Sequence, residues 1–287
     1  GIYDLPINKN IYAELEKLTP EMYTIDLEKM DFEEAKTYFA SYISEVTKKA
    51  LSYIREEVKE DEEALLLQIQ TCNQIIQLLS SKLHDEDFVN LQLDERGEIL
   101  TSVYKKLNSI RAVRKEKPTR PITSISQSSL FTGSQYEPNM LEELKKEIAS
   151  SDEIEWLVSF IKWSGLRIIL NELRDFTIER GGKLRIITTS YMEATDYKAL
   201  VELSKLPNTE IRVSLDKQRT RLHAKAYLFK RNTGFSTAYI GSSNLSNPAL
   251  TSGLEWNLKI TERDSFDVLR KFEATFESYW NDEEFKS

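Results

Sequence analysis

The sequence of 287 residues is poor in the side chains that hold transition metals or staple small folds, with one cysteine, Cys72, and two histidines, His84 and His223. A lone thiol excludes an internal disulfide, and so few Cys and His residues exclude a cluster at zinc spacing. Catalysis is therefore expected to run without a metal or cofactor. No apolar run approaches the roughly 20 residues that cross a bilayer. Gly1 to Lys9 lacks the basic flank and apolar stretch of a secretory signal. A cytoplasmic location and no membrane partner follow as expectations. What remains is 40% apolar and 30% charged, ordinary for a folded chain with room for two cores.

Acidic excess is confined to one end. Residues 1–110 hold 22 acids and 12 bases, leaving 25 acids and 27 bases for the rest of a chain whose net charge is -8. Near the second histidine Arg212, Lys217, Arg219, Arg221, Lys225, Lys230 and Arg231 are opposed only by Asp216. Such a field suits an anionic backbone, and the expected interaction with DNA is salt-sensitive.

Apolar residues recur at steps of three or four at Phe32, Ala35, Phe39, Tyr42, Val46, Ala50, Ile54 and Val58, and again at Leu65, Ile69, Cys72, Ile76 and Leu79. The spacing predicts amphipathic helices packed as a bundle, with a partner-binding or dimer-forming face as the other reading. His84, in His84-Asp85-Glu86-Asp87, reads as a polar turn. From Arg111 a basic run containing Pro118 passes into Pro121 and a Ser/Thr-rich stretch to Ser134. The division is thus a helical lobe over 1–115, a linker over 116–136 and a second domain over 137–287. There the pattern alternates: helix Met140 to Ala149, strand Glu155 to Ile161, helix Leu166 to Thr177, strand Leu184 to Thr188, helix Asp196 to Leu203 and strand Ile211 to Leu215. Strands follow at Leu222 to Phe229, Thr237 to Ile240 and Trp256 to Ile260, and a last helix at Ser265 to Trp280. This order defines an α/β domain with a mixed, largely buried sheet. The tryptophans at 156, 163, 256 and 280 read as core or boundary packing.

His223-Ala224-Lys225 is followed sixteen residues later by Gly241-Ser242-Ser243-Asn244. In an extended strand His223, Lys225, Tyr227 and Phe229 share a face, and the next strand ends at the Gly241 turn, where small residues let amides approach an anion. A phosphodiester needs its charge neutralised, a nucleophile and a proton for the leaving oxygen. Neutral His223 can attack phosphorus to give a phosphohistidine, while Lys225 and Asn244 stabilise the five-coordinate species. A second imidazole must act as acid. His84 is a poor choice, so two chains are expected to face each other as a homodimer, each giving one His223. Glu255 is the candidate to fix the tautomer of His223, with a surface glutamate as the alternative.

These residues resemble the phospholipase D superfamily, whose signature is His-x-Lys followed by a Gly-Ser-x-Asn turn; the likeness spans roughly 129–285. It implies a phospholipase-D-like mixed sheet flanked by helices, here preceded by an all-helical lobe. It also implies phosphohistidine chemistry without metal, with His223 as nucleophile or acid, Lys225 and Asn244 as phosphate binders, Ser242 as a further donor and Glu255 orienting His223. Phe160-Ile161-Lys162-Trp163-Ser164-Gly165, Thr188-Thr189-Ser190-Tyr191, Ala194-Thr195-Asp196, Arg219 to Lys225 running into Gly241 to Leu245, and Gly253-Leu254-Glu255-Trp256-Asn257 are similar to nuclease-like modules at the amino end of certain bacterial helicases. The resemblance implies a helicase domain in the same longer protein. The sequence departs from the fuller signature at Lys230, where an Asp is usual. Single-motif nucleases of the superfamily share the one motif per subunit and the dimer.

The expected function is that of a dimeric, metal-independent DNA nuclease, with Ser242, Ser243, Arg219 and Arg221 contacting substrate. The alternatives are a module that binds DNA and assembles partners without cutting, and a lipid phosphodiesterase.

Overall fold

A computed structural model describes residues 2–83, 86–103, 118–190, 195–214, 222–283 and 285–286. The polar turn at His84 and the basic run over 111–117 lie outside the described residues. The chain divides into two compact units, Gly1–Val103 and Tyr104–Ser287.

The first unit is helical. Asn8 accepts from the Ile11 amide at 2.9 Å to start α1 (Lys9–Leu15), and Asp31 accepts from Glu33 at 2.7 Å to start α2 (Phe32–Glu57). Acidic Asp61, Glu62 and Glu63 open α3 (Asp61–Leu83), where they complement the helix dipole. Gln68 Nε2 ties α3 to the Leu51 carbonyl of α2 at 2.8 Å. Burial between these helices is sparse. Among the described residues of this unit only Ala64 and Ile69 are buried apolar side chains, and Phe32, Phe39 and Val46 of the α2 stripe stay exposed. Two long helices offer too little surface to cover both stripes.

The second unit is built on β1 (Ser129–Phe131), β2 (Glu153–Val158), β3 (Lys183–Thr189), β4 (Thr209–Ser214), β5 (Lys225–Lys230), β6 (Thr237–Gly241), β7 (Asn257–Thr261) and β8 (Phe285–Lys286). They form one sheet in the order β1-β7-β6-β5-β2-β3-β4-β8, with β2, β3 and β4 parallel and the other pairings antiparallel. Residues 118–136, within the expected linker, are more than a connector: they supply β1, and the Ile122 and Thr123 amides donate to Glu143 at 2.7 and 3.2 Å.

Period-two alternation sorts the strands into two buried faces. Ile154, Trp156, Leu184, Ile186, Tyr227, Phe229 and Tyr239 pack on one side with Leu144 and Ile148 of α4 (Met140–Ser150) and Ala199 and Leu203 of α5 (Tyr197–Ser204). Trp156 meets Tyr227 edge-on, with ring centroids 5.5 Å apart. On the other side Leu157, Ile187 and Ala226 meet Phe276 and Trp280 of α6 (Phe266–Trp280), while Leu228 and Ala238 meet Leu269. With both faces covered, the strands read as nearly continuous apolar runs.

The helix expected over Leu166 to Thr177 is broken. Short turns span Trp163–Leu166 and Leu170–Arg174, and a π-helical turn follows over Asp175–Glu179. Thr177 Oγ1 donates to the Leu173 carbonyl at 2.9 Å and competes with the main-chain ladder.

Under the sheet lies a buried ionic network. Lys259 Nζ reaches Glu143 at 3.0 Å and Glu147 at 3.1 Å, and Arg231 reaches Glu147 at 2.5 Å. The Tyr239 and Thr237 hydroxyls donate to Glu147 at 2.8 Å each. Burial acts to raise the Glu147 pKa, but Arg231 and Lys259 outweigh it and hold this carboxyl below its ordinary value.

Candidate active site

Lys225 opens β5 at the centre of the sheet, paired with Val158 of β2 on one side. On the other side Ala226 pairs with Ile240, which leaves Lys225 beside Gly241, where β6 ends. His223 stands two residues before β5 rather than within it, and its side chain is exposed. The expected strand start at Leu222 is corrected by this. The pair is still coupled, since Lys225 Nζ donates to the His223 carbonyl at 2.8 Å. Burial lowers the Lys225 pKa, and Glu255 opposes that shift. The segment is held from below by Ser159, whose amide and hydroxyl both donate to the Ala224 carbonyl, at 3.0 and 2.9 Å.

The Gly241 to Asn244 turn is fixed by main chain on main chain. A side chain at Gly241 would fall 2.0 Å from the Trp256 carbonyl, so only glycine fits there. Ser242 N donates to that carbonyl at 3.0 Å. Asn244 Oδ1 accepts from the Phe160 amide at 3.1 Å, which turns its NH₂ group away as a donor for an anion. Leu245 bridges Ile161 in parallel, and a Cβ on Gly165 would lie 2.5 Å from the Leu245 and Ser246 backbone. Loop 160–165 is itself pinned by Asp196, which accepts from the Trp163 amide at 2.8 Å and pairs with Lys162 at 3.3 Å. The Trp163 amide first, and Lys162 with it, lower the Asp196 pKa against a smaller opposing effect of burial.

Three of the sequence-derived assignments change. Ser243 turns inward: it is fully buried, its hydroxyl accepts from Asn257 Nδ2 at 2.7 Å, and its carbonyl accepts from the Tyr227 hydroxyl at 2.9 Å. Its side chain is a strut for the turn, and Asn257 and Tyr227 are the supports that spacing alone did not reveal. Glu255 hydrogen-bonds to the Ser242 hydroxyl, and among the described residues no hydrogen bond joins it to His223. Finally, the cationic cluster is partly spent inside the fold. Arg212 covers the Trp280 ring, with its guanidinium carbon 4.6 Å from the centroid, and bonds the Trp280 carbonyl. Lys230 pairs with Glu153 and Glu155 at 3.4 and 3.5 Å, and Arg231 belongs to the buried network. Lys217, Arg219 and Arg221 lie outside the described residues.

Trp156 and Trp280 are buried as expected and Trp163 packs on the core beneath Lys198, but Trp256 is exposed beside Ser242. A cavity of about 250 Å³ borders the site through Glu255 and Asn257 and is lined also by residues of loop 133–139 and by Leu250 and Thr251. Among the described residues no helix is long and apolar enough to cross a membrane.

The second unit has the PLD-like fold, and residues 144–280 match the family model described as "Cardiolipin synthase, PLD-like domain". Among solved structures, NucT from Helicobacter pylori is 22% identical over 53% of this chain and 94% of that one, with a TM-score of 0.41. Nuc of Salmonella typhimurium, a phospholipase D family member, is 19% identical over 54% of this chain and 95% of its own, with a TM-score of 0.40. Polyphosphate kinase from Porphyromonas gingivalis is 18% identical over 58% of this chain and 31% of its own, with a TM-score of 0.38. No curated protein matches the chain.

Proposed function

We propose that the chain is a metal-independent phosphodiesterase, a DNA nuclease that works as a homodimer through a phosphohistidine. What supports this reading is that Lys225, whose side chain is buried, Asn244, whose carboxamide oxygen is already satisfied, and exposed His223 all stand beside the adjoining ends of β5 and β6. A phosphate resting on Lys225 and Asn244 presents phosphorus to His223, and two donors aimed at the developing charge lower the barrier. The Nε2 or Nδ1 lone pair forms a P–N bond as the P–O bond to the leaving group breaks, and the second subunit's imidazole protonates that oxygen. Water then attacks phosphorus, gives its proton to the same second imidazole, and frees His223. Glu255 serves the site through Ser242 and through its field on Lys225.

Cleavage of DNA in excess EDTA by the native protein, with none by His223→Ala, is the expected result; equal cleavage by both ends the proposal. The resemblance to helicase-linked modules supports a motor domain in the same longer protein. A lipid phosphodiester is the second reading, favoured by exposed Leu254 and by exposed Trp256, whose carbonyl accepts from the Ser242 amide, and release of headgroups from phospholipid vesicles is its test.

A further inference from the structure

Residues 160–163 run between two neighbouring segments and satisfy their main chain on each in turn. Phe160 and Lys162 face the end of the Gly241 to Asn244 turn. The Phe160 amide donates to Asn244 Oδ1 at 3.1 Å, its carbonyl accepts from the Leu245 amide at 3.2 Å, and the Lys162 amide donates to the Leu245 carbonyl at 2.9 Å. Ile161 and Trp163 face the other way, onto the residues that lead into α5. The Ile161 carbonyl accepts from the Asp196 amide at 2.8 Å, its amide reaches Thr195 Oγ1 at 3.4 Å, and the Trp163 amide donates to Asp196 Oδ2 at 2.8 Å. This is the alternation of an extended strand, so what holds one side sets the position of the other.

Asn244 depends on that position. A carboxamide carries an acceptor at one end and two donors at the other, and half a turn about its last side-chain bond exchanges them. With Oδ1 on the Phe160 amide, the NH₂ end is left for an anion. With that amide withdrawn, the oxygen is free to swing toward the same anion and repel it.

We propose that Asp196 is a positioning residue for Asn244: by holding the Trp163 amide it keeps the Phe160 amide where it fixes which end of the carboxamide meets a phosphate. The inference rests on the phosphodiesterase reading above and adds a residue outside the His223, Lys225 and Asn244 set. Two observations single out the bond to main chain rather than the charge of Asp196. Its ion pair with Lys162 is 3.3 Å long between side chains 38% and 39% exposed, where water screens most of the attraction. The Trp163 amide, in contrast, opens a helical turn, and Lys162 at the N-cap offers it no side-chain acceptor.

The test measures DNA cleavage in EDTA and hydrogen exchange at the Phe160 amide for native protein, Asp196→Ala, Asp196→Asn, Lys162→Ala, Asn244→Ala and the combined Asp196→Ala and Asn244→Ala variant. Asp196→Ala is expected to lower kcat at least about tenfold, and by no more than the roughly 10²–10³-fold loss that follows removal of a preorganised donor. Its exchange at Phe160 is expected to quicken at least about tenfold. Asp196→Asn, whose side-chain oxygen still accepts from the Trp163 amide, and Lys162→Ala are expected within about twofold of native in both measurements. The combined variant is expected to be no slower than Asn244→Ala, because changes that act through one group do not add. Losses that multiply in the combined variant, or unchanged exchange at Phe160 in Asp196→Ala, overturn the proposal. If Asp196→Ala does not fold, Asp196→Ser carries the test with the same expected losses, since serine starts a helix as well as aspartate does and its side chain is one atom shorter. Equal cleavage by native protein and His223→Ala ends the nuclease reading instead, and exchange alone then decides: faster in Asp196→Ala and native-like in Asp196→Asn upholds the positioning role, and unchanged in both overturns it.

Discussion

Lys225 donates from its ammonium to the main-chain carbonyl of His223 at 2.8 Å, so the cation is tied back to the imidazole-bearing residue across Ala224. That bond satisfies one of three ammonium protons and leaves the others for an anion.

Replacing Lys225 by Met is expected to lower kcat about 10²–10³-fold, the usual loss when one preorganised donor is removed. The pH dependence follows from burial. An ammonium is charged below its pKa, and burial brings that pKa under the ordinary 10.5 while Glu255 opposes the shift. Activity should therefore fall as pH rises through a value below 10.5, and in Lys225→Arg the alkaline limb should vanish. Rates recorded between pH 7 and pH 11 check both.

Ser243→Ala separates a strut from a phosphate ligand. Loss of the hydroxyl leaves Asn257 Nδ2 without its 2.7 Å acceptor. An unsatisfied buried amide costs about 1–3 kcal/mol, visible as a lower denaturant midpoint. KM for DNA should stay within about twofold, because the hydroxyl faces the core; a tenfold rise with unchanged stability would return Ser243 to the substrate.

Lys259→Met removes the buried cation that Glu143 and Glu147 share. Breaking a buried pair costs about 3–5 kcal/mol. At roughly 2–4 °C per kcal/mol for a unit of this size, Tm should drop by about 6–20 °C in calorimetry. The same network makes stability pH-dependent. The Glu147 pKa is lowered on folding, so its contribution is present above the ordinary 4.5 and lost as pH falls through the folded value. Glu147→Gln should flatten the acid limb of a stability-against-pH curve.

Because Arg212, Lys230 and Arg231 are occupied within the fold, few described cations of the cluster near His223 remain for DNA. Arg219→Ala and Arg221→Ala should each lower the slope of log affinity against log salt by about 0.9, whereas Lys230→Ala should leave it unchanged. Titrations at several salt concentrations decide this.

Legibility followed the range of the physics involved. Strands β2 to β7 were readable because alternation and continuous apolar runs are local signals, and spacing alone marked His223, Lys225 and Asn244 as a candidate set. The broken helix after Gly165 was not: Thr177 competes for the Leu173 carbonyl only once the backbone is already placed. Nor were Asn257 and Tyr227 legible as supports of Ser243, since each reaches it across a strand pairing that sequence separation conceals. The charge cluster misled for the same reason. Arg231 is adjacent to Lys230 in the chain, yet its guanidinium lies against Glu147, 84 residues away.

With hydrogen alone between Gly165 and the Leu245 peptide, the position of the Gly241 to Asn244 turn is dictated by two stretches of polypeptide touching directly. No flexible group stands between them to be repacked. Changes of side chain around the neighbouring cavity can therefore alter its lining while the main chain that holds the Gly241 to Asn244 turn stays where it is.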